Sequence, residues 1–415
     1  MMQFVNDRKV WLLSILLVAI LPLLVKSNLQ LALFTQMGIA IVFALSYNML
    51  LGQCGLLSFG HAIFFGLGAY FTIHTLRFAN ENIFAIPLPF QPIIGALASG
   101  VLGAVLGTFA TKKAGATFAM ITMGINEVMV TVALMFTNFF GSETGIEATR
   151  EPWLGLKFGS QTQVYYLVFF WVFISVILMY AFGKTPLGRI ANAVRDNPER
   201  TSFVSYNPVL VRGLVLTISG FFAGLAGGLY AINWEIVSYE NLSIMQSAFV
   251  LFMVFIGGTG YFFGPVIGAI LVTYLVFYLS AFTEAWLLYL GILFMLTVLF
   301  APSGIAGIIM KHKEIGGGRH VIKLLPSYLR ALAPSLLMAL SGVVFVETVY
   351  HFWSGSNYAQ DSMSLFGIQL HCSAWWLLAF SVLGMVAGGF FLKNALVKVR
   401  SCWNEVISEV KGAAV

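Results

Sequence analysis

Glu127 stands in the middle of a long apolar run, AGATFAMITMGINEVMVTVALMFTNFF, with Asn126 beside it and Thr122 and Thr131 about one turn to either side. A carboxylate at bilayer depth costs about 2.5–3.5 kcal/mol, so it needs a cavity or a polar partner. Thr122 and Asn126 share one helical face, with Thr131 close to it. The group reads either as part of a solute pathway or as an acid hydrogen-bonded between helices. A second polar cluster, Asn48, Gln53, Ser58 and His61, falls at the junction of two apolar runs and is punctuated by Gly52, Gly55, Gly60, Gly66 and Gly68. A broken helix here would offer backbone groups to a polar solute or relax during gating. Close packing through small residues, with His61 as a satisfied structural histidine, is the other reading. Phosphate-loop, HExxH and GxSxG patterns are missing from the sequence, and Cys54, Cys372 and Cys402 have no CxxC spacing.

Those groups must be held by elements that live in lipid. Of 415 residues, 59% are hydrophobic and 9% charged, far from the roughly 45–50% and 25% of a soluble domain. Apolar segments at 10–25, 30–51, 57–76, 91–111, 115–139, 164–182, 212–232, 244–260, 263–282, 285–309, 332–350 and 373–392 are candidate spans. The third, holding His61 and several glycines, is expected to be broken. The first follows Arg8 and Lys9 and reads as a retained helix. The fold class is therefore an all-α polytopic membrane protein with about ten transmembrane helices in a core and about two at the C-terminus.

Charge orients the spans. With the N-terminus inside, Lys112 and Lys113, the 184–212 loop, the 311–330 segment and the tail after Lys393 all fall inside. Glu81, Glu143, Glu147, Glu151, Glu235, Glu240 and Asp361 fall outside. Both termini are thus expected on the cytoplasmic side. The net charge of +6 reflects this loop bias rather than a nucleic-acid surface. PIIGA at Pro92 and PVIGA at Pro265, each preceded by GLGAY or GGTGY, mark a candidate inverted repeat of five helices.

The segment KTPLGRIANAVRDNPERTSFVSYNPVLVR, from Lys184 to Arg212, interrupts the apolar blocks with five basic residues. Its pattern predicts a helix ending near Asp196, a break at Pro198 and a short segment closed by Asn207 and Pro208. A short surface helix of this kind suits a groove on a partner, or its arginines meet lipid headgroups. The outer loop NFFGSETGIEATREPW, with Gly141, Glu143 and Gly145, suits docking of a soluble protein, a pore entrance or a solvated connector.

NMLLGQCGLLSFGHAIFFGLGAY, FAMITMGINEV, GSETGI, TPLGRIANAVRDNPER, SGFFAGLAGGLYA, FMVFIGGTGYFFGPVIGA and VLFAPSGIAGII occur in that order between about residues 30 and 310. Together they resemble the permease subunits of branched-chain amino-acid ABC importers, specifically the larger permease of the pair. The resemblance implies a bacterial inner-membrane protein working with a second permease, two cytoplasmic ATPase subunits and a periplasmic solute-binding protein. It also implies that ATP is bound by the ATPases, with no cofactor in this chain. The solutes implied are leucine, isoleucine and valine, or urea, short amides and other amino acids. Residues 1–310 would form the permease core, with 183–212 as the coupling loop. In that loop Arg195, Asp196, Asn197, Pro198, Glu199, Arg200, Ser205 and Tyr206 would face the ATPase. The family motif has a Glu-Ala pair and a Gly where this chain has Ser202, Phe203 and Ser205. Asn48, Ser58, His61, Thr122, Asn126 and Glu127 would line the substrate pathway, and Gly141, Glu143 and Gly145 would meet the binding protein. Beyond the core lie a cytoplasmic linker at 311–330, a transmembrane hairpin at 331–392 of unassigned role, and a cytoplasmic tail at 393–415. Two other readings stand beside this one: an ion-gradient-driven transporter with Glu127 as its proton site, and a membrane enzyme using His61 with Glu127.

Overall fold

The computed structural model describes residues 8–25, 27–81, 86–150, 152, 158–314, 318–353, 363–365, 368–370 and 374–412. Glu151, Asp361 and Cys372 lie outside them. Each of the twelve predicted segments contains a helix. They are α1 (Arg8–Leu24), α2 (Asn28–Asn48, continued by a π turn at Met49–Gln53), α3 (Ala62–Asn80), α4 (Gln91–Phe109), α5 (Ala116–Met135) and α6 (Gln161–Lys184). The basic loop supplies α7 (Pro186–Asp196) and α8 (Pro198–Phe203). Then follow α9 (Pro208–Trp234), α10 (Ile244–Gly257), α11 (Gly264–Phe282), α12 (Trp286–Phe300), α13 (Gly304–Glu314), α14 (Gly318–Trp353) and α15 (Ala374–Gly412). Among the described residues nine helices are long and apolar enough to cross a membrane, and α12 with α13 makes a tenth span bent by 43°. The segments within α1 and α10 are shorter apolar helices. The chain is an all-α polytopic membrane protein. Its only strands among the described residues are β1 (Ile146–Glu147), paired antiparallel with β2 (Ile236–Val237), and β3 (Met363–Leu365), paired with β4 (Ile368–Leu370).

The chain divides into two units. The first comprises residues 1–274 and 296–306. Its centre is α9, which packs on α2, α3 and α4. Lipid gives helices no hydrophobic reason to associate, so close backbone contact through small residues takes over. A Cβ on Gly68 would collide with Gly224, one on Gly95 with the carbonyl of Gly68, and one on Gly227 with the carbonyl of Phe65. Hydroxyls add interhelical bonds: Ser99 Oγ donates to the Phe64 carbonyl at 2.7 Å and Ser219 Oγ to the Ser46 carbonyl at 2.7 Å. The paired motifs PIIGA and PVIGA play matching parts. Gly95 rests on α3, and Gly268 meets the carbonyl of Met253 in α10, so each motif brings its helix against the preceding one.

The second unit comprises residues 275–295 and 307–415. Here the structure differs from a linker, short hairpin and tail. Residues 311–314 close α13, α14 runs without a break through Pro326 and Pro334, and α15 continues to Gly412. The extra helix is stabilised by pairing: Leu324 and Val406 are buried together, and Lys323 Nζ meets Glu409 Oε2 at 2.7 Å. The apolar windows of α14 and α15 are 0% and 11% buried, against 72% for α2, so the hairpin leaves most of its apolar surface exposed.

Gly227→Val is expected to lower the thermal midpoint of the detergent-solubilised protein, at a cost of about 1–3 kcal/mol or more from overpacking. Gly124→Ala, where nothing lies within 4 Å of the added carbon, is expected to leave the midpoint unchanged or slightly higher. Equal midpoints for Gly227→Val and the wild type would refute the packing account.

Candidate functional site

Between the π turn of α2 and the start of α3, residues 55–61 are not helical, as expected for the third span. Non-helical backbone at membrane depth survives only where protein supplies its hydrogen bonds. Side chains from four elements do so. Tyr47 OH on α2 donates to the Ser58 carbonyl at 2.9 Å. The Phe59 N–H donates to Thr122 Oγ1 on α5 at 3.2 Å, and the Ala62 N–H to Ser247 Oγ on α10 at 2.9 Å. Arg195 on α7 donates to the Gly52 carbonyl in the π turn. Two glycines make room. Gly55 has φ +70°, and a Cβ there would press on the Arg195 stem at 2.8 Å; a Cβ on Gly52 would meet Asn48 Oδ1 and, at 2.8 Å, the Thr259 carbonyl.

Five of the six predicted pathway residues are buried around this break: Asn48, Ser58, His61, Thr122 and Asn126. His61 Nε2 lies 3.1 Å from Ser46 Oγ, and its ring stacks on Phe43 with Tyr47 and Phe64 edge-on. His61 Nδ1, Asn48 Oδ1, Ser58 Oγ and both amide atoms of Asn126 are buried with no hydrogen-bond partner. Thr122 is committed to the backbone, accepting from Phe59 and donating to the Ala119 carbonyl at 3.0 Å. Such a cluster offers donors and acceptors, without formal charge, to a passing polar group.

Glu127 and Thr131 depart from that cluster. Both are exposed on α5, because one residue advances a helix by 100° and carries position 127 off the face shared by Thr122 and Asn126. Glu127 therefore makes no hydrogen bond with His61, the pair on which the enzyme reading depends. Its neighbours one turn away include Gly124, with open space above it, and exposed Met123, and the adjacent Val128 is exposed too.

The basic loop folds as its sequence predicts. Each of three helices opens on a capping side chain followed by proline. Thr185 Oγ1 accepts from the Gly188 N–H before Pro186. Asn197 Oδ1 accepts from the Arg200 N–H at 2.9 Å before Pro198, and Asn207 Oδ1 from the Val209 N–H at 3.0 Å before Pro208. Ser205, where the family motif has Gly, adopts φ +67°. Of the predicted partner-facing residues all but the half-buried Pro198 are exposed, and Arg195, its side chain 40% exposed, also reaches the Gly52 carbonyl and ion-pairs with Asp196 at 3.0 Å. The loop also presents Phe203, 88% exposed, and Val204, 66% exposed. Their signal in the sequence is an apolar pair inside a charged loop.

In the loop between α5 and α6 Gly141 (φ +76°) and Gly145 (φ +77°) shape the turn that leads into β1, so Glu143 alone of that trio presents a side chain. Sequence reasoning missed the clamp behind it. Arg150 donates to the carbonyls of Phe158 and Asn233 at 3.1 Å each, and its Nε lies 3.3 Å from Glu235 Oε1. Glu235, at φ +57°, closes α9 and also accepts from the Arg150 N–H at 2.7 Å. Burial pulls the Arg150 pKa below its ordinary value, and the Glu235 charge opposes that shift.

Comparison with known proteins adds an independent line. The family model described as branched-chain amino acid transport system / permease component matches residues 29–302. The high-affinity branched-chain amino acid transport system permease protein LivM of Salmonella typhimurium is 28% identical over 322 residues, covering 72% of this chain and 75% of that protein. LivM of Escherichia coli is 28% identical over 324 residues, with the same coverage. A probable branched-chain amino acid transport permease protein, LivH of Methanocaldococcus jannaschii, is 25% identical over 236 residues, 54% of this chain and 74% of its own length. No solved structure matches the chain significantly.

Two local tests follow from these geometries. Asn197→Ala is expected to cost about 1 kcal/mol of cap energy, read as faster amide exchange confined to residues 198–203. Arg150→Gln is expected to lower the thermal midpoint more than Glu235→Gln, because it also orphans the carbonyls of Phe158 and Asn233. The reverse order would discount the clamp.

Proposed function

The chain belongs to the branched-chain amino acid transport system permease family, and from that premise we propose that it is the membrane-spanning permease subunit of an ATP-driven importer. Its solutes are branched-chain amino acids or related small polar molecules. It works with a second permease, two ATPase subunits that bind ATP, and a soluble solute-binding protein, in a bacterial inner membrane with both termini in the cytoplasm. The observation that carries this reading is the hydrogen bond from Arg195 to the Gly52 carbonyl. It ties the basic helical loop directly to the polar break in the second and third spans.

The division of labour follows from exposure. Phe203, Val204 and Tyr206, with Arg200 and Glu199 beside them, present an apolar knob in a charged rim, a surface suited to a groove on the ATPase. Arg195 works inward as a positioning residue. When the ATPases close, α7 and α8 move, and Arg195 carries that displacement to the π turn and the 55–61 segment. The unpartnered polar atoms of Asn48, Ser58, His61 and Asn126 then change their access to solute. Glu127 serves a different surface. An exposed carboxylate halfway along a lipid-immersed helix requires cover, and the second permease, packed over Gly124 and Glu127, supplies it. The pathway runs along that junction. Glu143 faces the incoming binding protein, with Gly141 and Gly145 setting the turn that carries it.

Phe203→Asp combined with Tyr206→Asp is expected to reduce copurification of the ATPase by at least about tenfold. Arg195→Gln is expected to leave copurification within about twofold while lowering solute taken up per ATP hydrolysed by about tenfold, with Arg195→Lys intermediate. Wild-type stoichiometry in Arg195→Gln would remove the mechanical link. Uptake that collapses with an uncoupler yet survives loss of the ATPase would transfer the protein to the ion-driven class.

A further inference from the structure

Between the C-terminal helices α14 and α15 lies a groove of about 440 Å³. The helices touch at both of its ends. Towards the loop that joins them, Gly388 meets the backbone of Met338, and a Cβ there would lie 3.0 Å from it; Gly384 meets Ser341 Oγ. Towards the free ends, Leu324 and Val406 are buried together, Tyr328, Cys402 and Trp403 pack around them, and Lys323 pairs with Glu409. Pro334 leaves one rung of the α14 hydrogen-bond ladder unmade at the level of the gap, since it lacks the N–H that would reach the Arg330 carbonyl.

The lining of this groove is two-faced. Leu337, Phe391 and Pro334 form an apolar wall on one side, and Arg330, Lys398 and Asn394 lie on the other. Arg330 and Lys398 are exposed, and neither side chain has an ion pair or hydrogen bond among the described residues. Nearby Lys323, by contrast, is neutralised by Glu409. The lining contains no carboxylate. Depth is fixed by the sequence: the apolar run 332–350 starts just after Arg330, and the run 373–392 ends just before Asn394. The cations therefore sit at the level of the headgroups while Leu337 and Phe391 reach into the acyl layer.

We infer that this groove binds one anionic phospholipid, its phosphate held by Arg330 and Lys398 with Asn394 donating, and its acyl chain lying against Leu337 and Phe391. Charge complementarity selects the occupant. A zwitterionic lipid brings its own cation to the two basic groups, and a detached phosphate leaves the apolar wall uncovered.

The test is lipid retention by the purified full-length chain, delipidated in detergent and supplied with phosphatidylglycerol or phosphatidylcholine, then read by native mass spectrometry. The wild type is expected to retain phosphatidylglycerol about tenfold over phosphatidylcholine. Arg330→Gln with Lys398→Gln is expected to bring the two lipids to parity, while Lys113→Gln, a cation elsewhere, leaves the preference intact. Leu337→Trp, which fills the groove and keeps both charges, is expected to lose the bound lipid as well. A double variant that retains the preference overturns the site. So does displacement of the lipid by millimolar inorganic phosphate, which would assign the cations to a soluble anion.

Discussion

A stretch of chain that leaves the helix inside a bilayer must find a partner for every amide and carbonyl it exposes, because the surrounding solvent offers none. Tyr47 and Thr122 meet that demand at Ser58 and Phe59, and Ser247 and Arg195 meet it at the flanking Ala62 and Gly52; the four are drawn from α2, α5, α10 and α7. Elements distant in sequence thereby converge on a few consecutive peptide units. The requirement explains why a hydroxyl residue faces inward from α10, why Thr122 rather than a larger apolar residue lies one turn before Asn126, and why a loop arginine reaches back to the π turn. It also concentrates polar atoms without protein partners at the same place.

Around that joint the backbone is held close by small residues. The central helix α9 has 27 residues, and its length of about 40 Å spans the apolar layer with a little to spare. It carries Gly224, Gly227 and Gly228 where α3 and α4 approach. One end is set by the Asn207 cap next to the basic loop, the other by Glu235 and its clamp with Arg150. The two loops on which a permease would meet its soluble partners are thus fastened to opposite ends of the same rod. The hairpin α14–α15 is built on another plan, with two contact points and a gap between them, and its apolar surface is left exposed.

Much of this was legible from residue order alone. Twelve apolar runs gave twelve helical segments, since an apolar run of bilayer length in lipid has few alternatives to a helix. Gly and His in the third run announced the break, and the basic loop announced a helix ending near Asp196 and a break at Pro198, whereas Asn207 and Pro208, read as closing the short segment, also open α9. What stayed hidden was pairing at long range. Nothing local links Arg195 to Gly52, or Ala62 to Ser247, across 143 and 185 residues. The facing of α5 was also obscure, because a helix apolar on every side has no stripe to mark its buried face. Glu127 and Asn126 are adjacent in sequence and part company in space for that reason. The extent of α14 and α15 was underestimated because basic residues past the apolar runs looked like linker, whereas mutual packing of Leu324 with Val406 keeps them helical.

The chemistry of the partners at the 55–61 joint has a kinetic corollary. Three of the four are hydroxyls, which rotate about a single bond and both donate and accept. Such a joint can hand each peptide group from one oxygen to the next in small steps, without passing through a bare amide in hydrocarbon, an intermediate several kcal/mol uphill. A membrane-buried kink can in this way be stable at rest and still quick to rearrange.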